Sequence, residues 1–101
     1  MNENILEVSE HLCKVFGFVE DTERTTPQAR VITKPTRFDG TIFIIHVMDM
    51  CINVQTLNPE KWQWQTLISC QKIESKEEAD RLLLNNCDFV MNSGIGIEIE
   101  S

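Results

Sequence analysis

Four strand-like runs lie close together in the middle of the chain, and they restrict the fold more than any other feature. The runs cover residues 29–38, 41–47, 51–57 and 62–73. Turn-forming pairs such as Asp39-Gly40 and Asn58-Pro59 separate them. Connections of a few residues join antiparallel neighbours, because parallel strands need a crossover of a dozen residues or more. The pattern therefore predicts an antiparallel β-meander.

The run at 41–47 is predicted to be the central strand. Its sequence, TIFIIHV, is apolar on both faces, which is typical of a strand that is covered on both sides. The run at 51–57 alternates instead, with Ile52 and Val54 on one face. That alternation predicts a strand with one buried face and one polar face.

The run at 29–38 is predicted to lie at a sheet edge. Pro35 interrupts it, and proline cannot donate a hydrogen bond to a neighbouring strand. Lys34 and Arg37 flank the proline, and charged side chains commonly protect an exposed edge. The polar segment 19–28 before it reads as a loop.

A helix is predicted at residues 3–16, where apolar residues recur at helical spacing and Gly17 provides a C-cap. The apolar positions are Ile5, Val8, Leu12, Val15 and Phe16. On its solvent face, Glu7 with His11 and Glu10 with Lys14 have the spacing of intrahelical pairs.

A second helix is predicted at 76–86. Ser75 and Glu78 form a capping box before it, and Asn85-Asn86 is expected to end it. The last segment, GIGIEIES at 94–101, alternates and predicts a final strand. The expected fold is therefore a single α+β domain over residues 1–101, in the order α-β-β-β-β-α-β.

The chain of 101 residues has a formal charge of −7. A phosphate backbone needs a positive surface, so direct nucleic-acid binding is not expected. No apolar run is long enough to span a membrane, and the polar, acidic N-terminus resembles neither a signal peptide nor a transit peptide. We therefore expect a cytoplasmic protein with no membrane association.

The four cysteines, Cys13, Cys51, Cys70 and Cys87, are widely and irregularly spaced. Without a C-x-x-C pair, they predict reduced, mostly buried thiols, with no metal and no cofactor. His46 and Cys51 are a candidate pair for thiolate chemistry. No third orienting group is evident, so a hydrogen-bonded sheet histidine and a packed thiol are the favoured interpretation.

Trp62 and Trp64, the only two tryptophans, lie two residues apart in a predicted strand and so share one face. The intervening Gln63 and Gln65 occupy the other face. Because the glutamine face looks solvated, alternation favours tryptophans that lie in the core beside Ile52 and other apolar residues.

Hairpin register supports a different position for the indoles. A four-residue loop at 58–61 places Leu57 opposite Trp62 and Gln55 opposite Trp64, on the polar face of the preceding strand. A loop that is one residue shorter or longer reverses this pairing. The alternatives are therefore a core position, which alternation favours, an exposed platform, or a bulge that separates the two indoles.

The first functional hypothesis is a small, acidic, non-enzymatic protein that inhibits or sequesters a larger, partly basic protein partner. Immunity proteins, and inhibitors of nucleic-acid-processing enzymes encoded by viruses or mobile elements, are of this class. Acidic groups would steer the approach and aromatic groups would supply affinity. The candidate contact residues are Trp62, Trp64, Gln63, Gln65, Asp49, Asp88, Glu98 and Glu100.

Two other classes of function remain open. One is a dimeric acidic chaperone or adaptor, whose outline of helix, β-meander and helix matches that of small type III secretion chaperones without a shared motif. The other is an enzyme with a site around His46 and Cys51. The first hypothesis is compatible with either a monomer or a homodimer.

Overall fold

The computed structural model describes the backbone of residues 2–35 and 40–95, and the side chains of these segments up to residue 85. An N-terminal helix is followed by a five-stranded sheet and a second helix, which confirms the predicted α+β fold class. The elements are α1 (Glu3–Phe16), β1 (Val19–Glu20), β2 (Arg30–Pro35), β3 (Ile42–Met48), β4 (Cys51–Asn58), β5 (Gln63–Lys72) and α2 (Lys76–Ile95).

Helix α1 has its predicted bounds, and it is capped at both ends. The Asn2 side chain accepts a hydrogen bond from the backbone N–H of Asn4 at 2.7 Å, and Gly17 adopts the left-handed conformation with φ +81°. Four of the five predicted apolar positions are buried, whereas Val15 is 50% exposed and lies outside the stripe.

The five strands form one antiparallel sheet in the order β1-β2-β3-β4-β5. β3 is therefore the central strand, as its apolar sequence predicts. The segment predicted as a loop contains the two-residue strand β1, which reaches only Ile32 and Thr33 of β2. Among the described residues, the end of β2 that includes Pro35 has a partner strand only on the β3 side, in agreement with an edge position for the proline.

Lys34 does not protect this edge from solvent, contrary to the prediction. It is 4% exposed, and its Nζ donates a hydrogen bond to the carbonyl oxygen of Phe16 at 3.0 Å. The ammonium also lies 5.3 Å from the centre of the Phe18 ring. A cation at a helix C-terminus interacts favourably with the last carbonyls, so Lys34 fixes α1 to the sheet.

The sheet carries apolar residues on both faces. The larger cluster lies between the helices and the sheet and includes Leu12, Phe43, Ile45, Val54 and Leu83. A smaller cluster on the opposite face consists of Val31, Ile44 and Leu57, with Ile42 packed beside it. The two clusters explain why β3 is apolar at almost every position.

Helix α2 begins as predicted, because Ser75 Oγ accepts a hydrogen bond from the Glu78 backbone N–H at 3.2 Å. Its predicted end at residues 85–86 is wrong, since the helix continues to Ile95 and includes Gly94. Asparagine costs well under 1 kcal/mol in a helix interior, so two asparagines do not suffice to end it. The rest of the predicted final strand, residues 96–101, lies outside the described residues.

The two helices are connected by polar side-chain pairs that sequence spacing does not predict. His11 Nε2 lies 2.8 Å from an Asp80 carboxylate oxygen, and Glu7 lies 3.6 Å from Lys76 Nζ. Glu10 approaches Arg30 on β2 at 3.7 Å. In this structure, Glu7, Glu10 and His11 thus pair with other elements instead of within α1.

Candidate functional site

The β4–β5 hairpin ends in a turn that its own sequence specifies. Asn58 Oδ1 accepts hydrogen bonds from the backbone N–H groups of Glu60, at 3.1 Å, and Lys61, at 3.2 Å. Pro59 occupies the position that its fixed φ favours in such turns. Because β4 ends at Asn58 and β5 begins at Gln63, four loop residues, 59–62, connect them.

The turn presents both tryptophans to solvent. Trp62 is 69% exposed and Trp64 is 49% exposed, and every residue from 59 to 66 is exposed. The favoured prediction, that the indoles fill the core, is therefore wrong. We refer to residues 58–66 as the hairpin tip.

The register of the hairpin explains why the alternation of polar and apolar residues predicted the wrong position for the tryptophans. Leu57 pairs with Trp64 and Gln55 with Thr66, so Trp64 lies on the face of β4 that carries Leu57 and Gln55. Between Gln55 and Ile52 the register shifts twice. These irregularities bring Ile68 opposite Val54 on the face that the helices cover. In a regular strand, Ile68 would lie on the same face as Trp64, because the two residues are four apart.

Trp62 has an unusual backbone conformation for a large side chain. It is the last loop residue, and its φ is +55°. In the left-handed region the Cβ approaches the following carbonyl oxygen, at a cost of roughly 1–2 kcal/mol for most L-residues. Glycine or asparagine would suit this position better.

Gln63 and Gln65 lie on the opposite side of β5 from Trp64. They pair with Asn58 and Thr56 across the hairpin. A groove of about 500 Å³ opens at this end of the sheet, and it is lined by Thr41, Thr56, Asn58, Lys61, Gln63, Trp64 and Gln65. The tip thus combines amide and hydroxyl groups, which donate and accept hydrogen bonds, with the apolar area of the indoles.

No family model, no curated protein and no solved structure matches this chain. Within residues 2–35 and 40–95, neither helix is both long enough and apolar enough to cross a membrane. Among the described side chains, no three His, Cys, Asp or Glu residues are grouped so that they could hold a metal ion. Any proposal on function therefore depends on the chemistry of the side chains themselves.

The predicted acidic contact residues do not join the hairpin tip in the described part of the chain. Asp49 lies in the β3–β4 turn and accepts a hydrogen bond from the Asn4 side chain at 3.0 Å. This turn and the tip are at opposite ends of β4, which at 3.3 Å per residue separates them by roughly 23 Å. Asp88 lies in α2 with its side chain outside the described residues, and Glu98 and Glu100 also lie outside them.

The tip carries one acid, Glu60, and one base, Lys61, so it is electrically neutral within an acidic chain. Lys61 lines the groove beside the two glutamines, and sequence reasoning did not select it. Its position in a turn between two strands, directly before Trp62, is the signal that could have indicated it.

A second cluster of polar side chains lies farther along β4 and β5 and includes His46 of β3. His46 pairs with Asn53 across β3 and β4, and Asn53 Oδ1 accepts a hydrogen bond from the Cys70 backbone N–H at 3.2 Å. Cys51 is half-buried and Cys70 is exposed. The expectation of mostly buried thiols fails at Cys70, because β5 is irregular at this point and is an edge strand among the described residues.

The pKa shifts of His46 and Cys51 are opposite to those of an activated nucleophilic pair. Burial raises the pKa of the Cys51 thiol. Burial, together with the nearby charge of Arg24, lowers the pKa of His46. A thiolate–imidazolium pair requires both shifts to be reversed. Moreover, His46 Nδ1 is buried without a hydrogen-bond partner among the described residues, so the predicted hydrogen-bonded histidine is also incorrect.

Proposed function

We propose that this chain is a non-enzymatic binding protein that docks onto a larger protein partner through the hairpin tip. The observation that carries the proposal is the position of Trp62, which is 69% exposed in a backbone conformation that disfavours large residues. Neither burial nor backbone geometry accounts for an indole at this place. Strain kept at an exposed position is a recognised basis for a functional hypothesis.

The chemistry of the tip suits the centre of a protein–protein interface. Such centres are depleted in charge and enriched in aromatic residues, with tryptophan prominent among the side chains that dominate affinity. Trp62 and Trp64 would supply the apolar area. Gln63 and Gln65 would provide directional hydrogen bonds along the groove.

We further propose that the partner is partly basic and is inhibited or sequestered by occlusion. The net charge of −7 would raise the rate of encounter with a positive surface. The tip itself is neutral, so the charge would act at long range while the indoles make the contact. An immunity protein, or an inhibitor encoded by a virus or mobile element and directed at a nucleic-acid-processing enzyme, would work in this way.

Affinity capture from a lysate of the source cells tests the proposal. Wild-type protein is compared with the Trp62→Ala/Trp64→Ala double variant and with Asp49→Asn, and captured proteins are identified by mass spectrometry. We expect one protein with a basic surface that wild type and Asp49→Asn retain and that the double variant loses while remaining folded by circular dichroism. Equal retention by all three proteins would contradict a role for the tip.

The position of β5 favours one alternative, a dimeric acidic chaperone or adaptor. Among the described residues, β5 is the outermost strand of the sheet, and an edge strand can pair with a second copy or with an extended partner segment. Light scattering coupled to size-exclusion chromatography distinguishes the two functions. A dimer at micromolar concentration would favour the chaperone, and a monomer would oppose it.

A further inference from the structure

Cys51 and Cys70 are brought together on one face of the β4–β5 pair. Cys51 and Asn53 are two residues apart on β4, so their side chains point to the same face. Cys70 Sγ lies 3.7 Å from Asn53 Oδ1, which places the Cys70 thiol on that face too. The Cys70 thiol is also close enough to Cys51 to contribute to the raised pKa of the Cys51 thiol.

The irregular pairing of the two strands brings the two thiols close together. Directly opposite Cys51 lies Lys72, not Cys70. The register shifts between Ile52 and Val54, and Cys70 itself has φ +43°. A bulge of this kind re-aims a side chain, and here it turns the Cys70 thiol towards β4. Asn53 accepts hydrogen bonds from both the backbone and the thiol of Cys70 and so holds it in place.

We propose that Cys51 and Cys70 form a redox-active dithiol that reacts with a small disulfide, of the class of oxidised glutathione, to give an intramolecular disulfide. Cys70 is exposed and meets the oxidant first, and Cys51, which is half-buried, acts as the resolving thiol. Disulfide exchange requires a thiolate at each step. Burial raises the pKa of Cys51, and the Cys70 thiol adds to this effect, whereas the ammonium of Lys72 acts in the opposite direction.

The reaction proceeds in two balanced exchanges. In the first, the Cys70 thiol loses its proton and its sulfur attacks glutathione disulfide. A bond forms between Cys70 and one glutathione, and the other leaves as a thiolate that takes up a proton. In the second, the Cys51 thiol loses its proton, and its sulfur attacks the Cys70 sulfur and displaces the second glutathione as a thiolate that takes up a proton. Two protein thiols are oxidised to one disulfide, and one glutathione disulfide is reduced to two glutathione molecules.

Thiol counting on the folded wild-type protein tests the proposal. The protein is incubated with oxidised glutathione, quenched with acid, alkylated, and analysed by intact-mass and peptide mass spectrometry. We expect the loss of two of the four alkylatable thiols, with a Cys51–Cys70 linkage and no glutathione adduct. In urea, where the folded contact is absent, closure should slow by at least roughly tenfold, because proximity supplies much of the rate.

Single variants separate the roles of the two thiols. Cys51→Ser should accumulate a stable mixed disulfide between Cys70 and glutathione, and Cys70→Ser should form no linkage to Cys51. Cys13→Ser is the matched control and should retain the Cys51–Cys70 linkage. Four free thiols in the treated wild type, a persistent glutathione adduct, or a linkage through Cys13 or Cys87 would each overturn the proposal.

Discussion

Leu57 and Trp64 face each other across the β4–β5 hairpin, yet Leu57 is 2% exposed and Trp64 is 49% exposed. Leu57 lies on an inner strand and packs with Val31 and Ile44. Trp64 lies on the edge strand, where one side of the indole has no neighbouring strand among the described residues. A cross-strand pair therefore joins the smaller apolar cluster to the hairpin tip.

The exposure of the indoles predicts small effects on stability. Trp62→Ala should cost about 0.5 kcal/mol or less, as surface substitutions do. Trp64→Ala should cost about 1 kcal/mol, because part of its indole is covered. Ile45→Ala is the matched core variant, since Ile45 is fully buried, and should cost about 2–5 kcal/mol. Urea melts measure all three, and a loss at Trp62 as large as that at Ile45 would show that the indole is packed.

The backbone conformation of Trp62 predicts a difference between two replacements that both remove the indole. Asparagine tolerates positive φ better than alanine, so Trp62→Asn should be more stable than Trp62→Ala by about 1 kcal/mol. Urea melts of the two variants give the comparison directly. Equal stabilities would indicate that residue 62 leaves the left-handed region in solution.

Binding should depend on the tip and not on the β3–β4 turn. Once a partner is identified, the Trp62→Ala/Trp64→Ala double variant should weaken its affinity by at least about 2 kcal/mol, or roughly 30-fold. Asp49→Asn should change the affinity by less than about threefold, as expected for a charge outside the contact. Isothermal titration calorimetry measures both, and a larger effect at Asp49 would move the interface to the other end of β4.

His46 predicts that stability falls in mildly acidic solution. Burial and the charge of Arg24 lower its pKa from the ordinary value of 6.5, so below that pH the unfolded chain binds protons that the folded protein does not. The contribution of neutral His46 is complete above about pH 6.5 and is lost as the pH falls towards the folded-state pKa. Urea melts between about pH 7.5 and 5 should show this slope, and His46→Gln should flatten it. An unchanged slope in the variant would assign the effect to another group.

The pair of His11 and Asp80 predicts a measurable coupling between the two helices. Both side chains are partly buried, and the closest approach is 2.8 Å. A double-mutant cycle with His11→Ala and Asp80→Ala should give a coupling energy of about 1 kcal/mol at neutral pH. Glu77→Ala, at an exposed position of the same helix, should cost less than about 0.5 kcal/mol. A coupling near zero would indicate that α1 and α2 are held together by apolar contacts alone.

Much of the fold could be predicted because it depends on local rules. The apolar run at 41–47 predicts a central strand, since only a strand covered on both faces can carry so few polar groups. Gly17 and Ser75 indicate where α1 ends and α2 begins, because helix caps use side chains and backbone close to them in sequence. The end of α2 was missed because two asparagines cost a helix too little to stop it.

The candidate site could be predicted only in part. The spacing of Trp62 and Trp64 indicated that they belong together. Their predicted position in the core was wrong, because the alternation rule applies only to a regular strand. Two register shifts between β4 and β5 break that regularity. Lys34 was assigned to the surface for a similar reason, since nothing in its neighbourhood in the sequence shows that the C-terminus of α1 packs against it.

The sequence by itself determined helix α1, the four longer strands β2 to β5 and their order, the start of α2, the central strand and the presence of two tryptophans near a turn. Only the tertiary structure decided the side on which each indole lies, the burial of Lys34 and the meeting of Cys51 with Cys70. The physical reason is that strand and helix periodicity depend on neighbours along the chain. Register, bulges and contacts between elements depend on residues that are distant in sequence and are set by packing.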